Sequence, residues 1–140
     1  IRRVFSIEIA VRRTAITDLG LRWDEDFGLN ARYAGGLETA FLKNALDLGI
    51  SAYYEPRAIV AHSGLSTGHI HSPESAYFRG AVYGKLFGPL ALAVLAGFAA
   101  KNAWRSGSLP GAGAYVAALY RGAMDYLRRR GDGVRFGTRG

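Results

Sequence analysis

The sequence places three carboxylates side by side between two aromatic residues. Asp24, Glu25 and Asp26 could bind a cation or contact the hydroxyl groups of a ligand, and they equally suit a solvated acidic turn. Trp23 and Phe27 flank this run, and their rings could stack on a bound ring or anchor the turn to the core. The segment is therefore a candidate binding loop with a purely structural alternative.

A further carboxylate, Glu38, lies near the start of the most regular helical pattern in the first half of the chain. Apolar residues recur at intervals of three and four, which predicts a helix from Leu37 to Leu48 with Gly49 after its end. Glu38 follows Gly35 and Gly36, so its carboxylate can lie exposed at the mouth of a site and accept a proton. The alternative is that Glu38 only supports the first turn of a surface helix.

His62 is the histidine with the clearest predicted placement, because it ends a short predicted strand. A neutral imidazole is a good metal ligand near physiological pH, and a half-buried histidine with ordinary hydrogen bonds is the alternative. His69 and His71 form a His-x-His pair, which without further acids is a weak metal signal. The absence of cysteine excludes a disulfide framework, a thiolate metal site and a cysteine nucleophile.

Alternating patterns predict the elements that position these residues. Phe5–Val11, Ile50–Tyr54 and Ala58–His62 are apolar runs of strand length, and a short helical turn capped by Thr14 is predicted before Gly20. Together with the helix at 37–48 they predict an α/β fold. A chain of 140 residues with 49% hydrophobic and 21% charged residues is long and apolar enough for one compact core, which excludes wholesale disorder.

The net charge of +7 is confined to one half of the chain. Residues 1–70 contain eight Lys or Arg and eight Asp or Glu, whereas residues 71–140 contain ten and three. We therefore predict an α/β part at 1–70, a helical part at 71–130 and a basic tail at 131–140.

The helical part has the composition of a membrane-associating region. A helix is predicted to start at Pro73, and Leu86–Ala100 is an uncharged run that is short for a transmembrane span. It suits an interfacial or re-entrant helix, or else a buried core helix. Tyr115–Arg130 is amphipathic and ends in three arginines. This combination favours an anionic membrane over nucleic acid, whose binding proteins interleave basic with aromatic residues on a folded platform.

Three segments, in this order, carry a resemblance to a known family: DEDFG, GGLETAFLKNALDLG and YYEPRAIVAH. Residues 4–67 resemble the C-terminal part of the catalytic domain of family 2 glycosyltransferases, particularly bacterial enzymes that build capsular polysaccharides or exopolysaccharides. The matching positions include Gly36, Glu38, Gly49, Pro56 and His62. Leu37 departs from the pattern, because the family usually has an acid there.

The resemblance implies the acceptor-side half of a GT-A-like fold that moves a sugar from a nucleotide-sugar donor to a lipid-linked or polysaccharide acceptor. It implies Glu38 as general base, a divalent cation (Mg²⁺ or Mn²⁺) and a peripheral position on the inner face of the cell membrane. The residues that it implicates in substrate or metal binding are Trp23, Asp24, Glu25, Gly36 and His62. The family's donor-binding half with its Asp-x-Asp motif has no counterpart, so the chain alone is expected to be inactive. The alternative function is a non-catalytic basic module that binds anionic membrane or nucleic acid.

Overall fold

A computed structural model of the chain describes residues 8–57, 72–106 and 112–131. This described part is 66% helical. Its α-helices are α1 (Arg13–Thr17), α2 (Leu37–Asp47), α3 (Pro73–Phe87), α4 (Ala91–Ser106) and α5 (Ala112–Gly131), with a 3-10 turn at Gly88–Leu90 between α3 and α4.

The predicted α/β fold of GT-A type is wrong, because the described residues contain no strand. Ile50–Tyr54 and the described end of Phe5–Val11 lie outside any strand, and Ala58–His62 falls outside the described residues. A strand needs a neighbour for its backbone N–H and C=O groups, yet the pairing seen in these ranges is one isolated bridge, Phe27 with Tyr33. The apolar and aromatic side chains of Ile50–Tyr54 therefore have no sheet on which to pack.

The helix predictions are confirmed in the main. α2 begins at Leu37 as predicted, and its end is marked by Gly49 at φ +74°. α3 begins at Pro73, where Ser72 and Ser75 satisfy each other's backbone N–H groups as a capping box. The short helix predicted from Ala15 with Thr14 as its cap begins two residues earlier, at Arg13, and no side chain caps it.

α3 and α5 are packed backbone to backbone through small residues. A Cβ atom added to Gly80 would overlap the carbonyl oxygen of Leu119, and one added to Gly84 would lie 3.1 Å from the ring of Tyr126. Gly80 of α3 faces Leu119 of α5, and Gly84, one turn further along α3, faces Tyr126, further along α5. The two helices therefore run in the same direction. α4 therefore runs back alongside this pair, and its Leu95 is buried in the cluster that the three helices share.

Two apolar clusters hold the first half of the chain together and attach it to this helical layer. One cluster joins α1 to α2 and consists of Ala15, Leu21, Phe41 and Ala45. The other joins the loop before α2 to α3 and α5 and consists of Phe27, Tyr33, Ala40, Ala81 and Tyr126. The loop that carries most of the predicted site residues is thus fixed against the helices that form the second half.

Candidate functional site

Glu38 lies in the first turn of α2 and is half-buried. The preceding glycines bring this helix start against α3: a Cβ on Gly35 would lie 2.9 Å from the Phe78 ring, and one on Gly36 would overlap Val82. Gly36 also has φ +80°, a conformation that side chains other than glycine rarely adopt. Within the described ranges, the Glu38 carboxylate forms no hydrogen bond or ion pair. The backbone at the start of α2 is therefore fixed against α3, and the partly exposed Glu38 carboxylate is available to a ligand.

The residues of the acidic loop have three different environments. Asp24 is buried, and its Oδ2 accepts a hydrogen bond from Lys85 Nζ at 2.7 Å. Trp23 stacks on Phe41 of α2 with ring centroids 4.0 Å apart, which leaves the indole 42% exposed. Glu25 is exposed. Asp24 thus contributes to the interior, while Trp23 lies one helical turn from Glu38, because Phe41 is three residues further along α2.

The predicted metal and substrate roles stay predictions. His62, His69 and His71 lie outside the described residues. Where the structure describes the chain, no group of three or more histidine, aspartate or glutamate side chains is arranged to hold a metal ion. The binding roles predicted for Trp23 and Glu25 have a compatible, exposed geometry.

A second polar centre, which the sequence did not predict, surrounds Asp125 of α5. Arg32 donates to both carboxylate oxygens, from Nε and Nη2 at 2.9 Å each. The hydroxyl of Tyr33 donates to Oδ2 at 2.8 Å, and that of Tyr77 donates to the same oxygen at 2.9 Å. We call these four residues the Asp125 cluster. It ties the loop before α2 to α3 and α5 through one carboxylate.

The charges within the Asp125 cluster stabilise one another. The Arg32 hydrogen bond is the main reason that the pKa of Asp125 lies well below its usual range, and the same bond raises the pKa of Arg32. Burial, followed by the nearby carboxylate, raises the pKa values of Tyr33 and Tyr77. At neutral pH the centre is therefore a carboxylate with all its donors protonated. The sequence signal was only that α5 has a single acid among several arginines.

An open depression lies beside the Asp125 cluster on the same side of α5. It has a volume of about 430 Å³. Its lining consists of Tyr77, Tyr120, Arg121, Met124, Asp125 and Arg128, and we call it the α5 depression. Its size falls within the range of small-molecule pockets, and its lining is aromatic and basic.

α4 and the turn before it present an apolar surface. Leu90 is 70% exposed, Val94 37% and Phe98 40%, and these three residues define the α4 apolar face. From Ala91 to Ala100 the helix has no charged residue, and Lys101, which is exposed, follows. The side chains of the α4 apolar face remain in contact with solvent, whereas Ala91 and Leu95 of the same helix are buried in the protein.

By length and composition, one helical stretch of the described chain, Pro73–Lys101, could cross a membrane. The most apolar 18 residues within it have a mean hydropathy of 1.6, and 28% of that window is buried within the protein. The stretch is interrupted at Gly88, where φ 56° and ψ −139° end α3. It therefore consists of two helices packed on each other rather than one straight rod.

No family model, no curated protein and no solved structure matches this chain.

Proposed function

We propose that this chain associates with an anionic membrane surface through the α4 apolar face. The observation that carries the proposal is the exposure of Leu90 in the turn before α4, and of Val94 and Phe98 on α4, which is uncharged as far as Ala100. Aromatic and aliphatic side chains that stay in water on an otherwise packed domain indicate an interaction surface. The inner leaflet, which is rich in anionic lipid, also suits the basic second half of the chain.

Both interactions contribute at similar magnitude. Complete burial of an apolar side chain of this size contributes about 1.5–3 kcal/mol, and the α4 apolar face can add only its exposed fractions, about 2–4 kcal/mol in total. Each lysine or arginine near an anionic surface contributes about 1 kcal/mol, so anionic lipid should strengthen binding substantially. Lys101 at the end of the uncharged stretch can keep its ammonium in the headgroup region while its stem lies along the lipid.

Val94→Gln/Phe98→Gln is expected to weaken binding to vesicles at least tenfold, because both side chains would no longer favour the apolar phase. Co-sedimentation with phosphatidylcholine vesicles, with and without phosphatidylglycerol, measures this. The control is Leu29→Gln/Tyr53→Gln, which removes two apolar side chains that are 87% and 92% exposed elsewhere on the protein. Neither pair changes the net charge. Unaltered binding by the α4 variant, or an equal loss in both, would show that the face does not carry association.

Sugar transfer is a second candidate function, favoured by the position of Glu38. Its carboxylate is in the first turn of α2, is held there by the approach of Gly35 and Gly36 to α3, and is without a partner in the described part. A general base needs such an available carboxylate within reach of an acceptor hydroxyl. The resemblance to family 2 glycosyltransferases supports this function, although the described helical fold does not.

Glu38→Gln is expected to lower sugar transfer at least a hundredfold, because the amide cannot take the acceptor's proton. The measurement is transfer from a panel of nucleotide sugars by protein produced from the complete gene. Glu55→Gln is the control, since Glu55 is an exposed carboxylate whose partner is the exposed Arg57. Normal transfer by Glu38→Gln would remove Glu38 from the reaction.

A further inference from the structure

Two arginines of α5 face the α5 depression without a protein partner. Arg121 and Arg128 are both exposed and seven positions apart, which places them on the same side of the helix two turns from each other. Neither guanidinium forms a hydrogen bond or an ion pair with any residue that the structure describes. They are long side chains and can converge on a common ligand between them.

The one carboxylate in the depression does not compensate these charges. Asp125 already accepts both donors of Arg32 as well as the hydroxyls of Tyr33 and Tyr77. The Arg32 charge balances that of Asp125, so the arginines at 121 and 128 make the depression a region of excess positive charge. A bound anion would meet two free guanidinium groups.

We propose that the α5 depression binds a phosphate ester, with its phosphate held between Arg121 and Arg128. A guanidinium group offers a planar pair of N–H donors that matches two oxygens of a phosphate, and a phosphate has enough oxygens for two such groups. The depression, at about 430 Å³, also has space for the organic part of an ester. The rings of Tyr77 and Tyr120 and the thioether of Met124 provide contact surface for that part.

The phosphate could belong to a lipid headgroup or to a soluble molecule. The Tyr120 hydroxyl donates to the carbonyl oxygen of Leu92 at 3.2 Å, so the wall of the depression touches the start of α4. A lipid headgroup at this junction would be close to the α4 apolar face. The site itself does not rest on membrane association, because Arg121 and Arg128 are on α5 and accessible from water.

The test compares two double variants that each remove two positive charges. Arg121→Gln/Arg128→Gln alters the depression, and Arg12→Gln/Arg13→Gln alters exposed arginines at the start of α1. The soluble probe is sn-glycerol 3-phosphate, followed by calorimetry, and the lipid probe is phosphatidylcholine vesicles containing phosphatidic acid, followed by co-sedimentation. Each lost charge-assisted contact is expected to weaken binding about tenfold, hence about a hundredfold for the pair in the depression.

Each outcome has a defined meaning. Loss of glycerol 3-phosphate binding in the α5 variant alone supports a site for soluble phosphate esters. If the native chain binds only the phosphatidic acid vesicles, and the α5 variant alone loses that binding, the ligand is a lipid headgroup. Equal losses in both variants, or no phosphate-dependent binding by the native chain to either probe, would overturn the proposal. Val94→Gln/Phe98→Gln separates the two proposals, since it should leave glycerol 3-phosphate binding unchanged.

Discussion

Gly80→Ala is expected to destabilise the protein by about 3 kcal/mol, a large part of the stability of a small domain. The added Cβ would overlap the carbonyl oxygen of Leu119 and lie 2.8 Å from its carbonyl carbon. Backbone atoms of a helix cannot rotate away as a flexible side chain can, so α3 and α5 would have to separate. Separation would open the shared cluster in which Ala76, Leu119 and Ala123 are buried. Urea unfolding followed by far-ultraviolet circular dichroism measures the change.

Gly97→Ala in α4 is the matched control, because nothing lies within 4 Å of a Cβ added there. In a helix interior, alanine is more favourable than glycine by about 1 kcal/mol, so this variant should be slightly more stable than the native chain. The same chemical change is thus expected to have opposite signs on two helices. If Gly80→Ala were also neutral or stabilising, the close crossing of α3 and α5 would not exist in solution.

The helices could be predicted from the sequence because their signals are local. α2 follows from apolar spacing and a terminal glycine, and α3 from Pro73 after Ser72. The close crossing of α3 and α5 was not predicted. In the sequence, Gly80 and Gly122 indicate only a lower helix propensity, and their role in the contact becomes visible when the facing helix is known. The strand prediction at Ile50–Tyr54 failed for a related reason: apolar, β-branched segments become strands only when a partner strand lies beside them.

The candidate sites also differ in whether their residues are close together in the sequence. Glu38 was predicted from its neighbours in sequence, as a carboxylate behind two glycines at a helix start, and its catalytic role stays a prediction. The Asp125 cluster unites Arg32 and Tyr33 with an acid more than ninety positions away, which only the tertiary fold can bring together. Asp24 shows the opposite case, because its short acidic run indicated a solvated turn or a binding loop while the fold buries it against Lys85.

Lys85→Met is expected to have a still larger effect, a loss of about 3–5 kcal/mol in the free energy of unfolding. Lys85 and Asp24 are both buried, 8% and 3% exposed, and Nζ lies 2.7 Å from Oδ2. Methionine preserves much of the apolar stem but leaves the carboxylate of Asp24 without a counter-charge inside the protein. The loss should appear as a lower midpoint of urea unfolding.

The double variant Asp24→Asn/Lys85→Met distinguishes charge from packing. Asparagine removes the uncompensated charge and retains an Oδ1 that can accept the backbone N–H of Asp26, now made at 3.1 Å. Most of the lost stability should therefore return, because replacing both members of a buried pair costs far less than removing one. If the double variant were as unstable as Lys85→Met, the loss would come from the ammonium group of Lys85, which lies 5.9 Å from the centre of the Phe27 ring, and not from an unpaired carboxylate. If Lys85→Met alone cost less than about 1 kcal/mol, the pair would be hydrated in solution and would contribute little to holding the loop before α2 on α3.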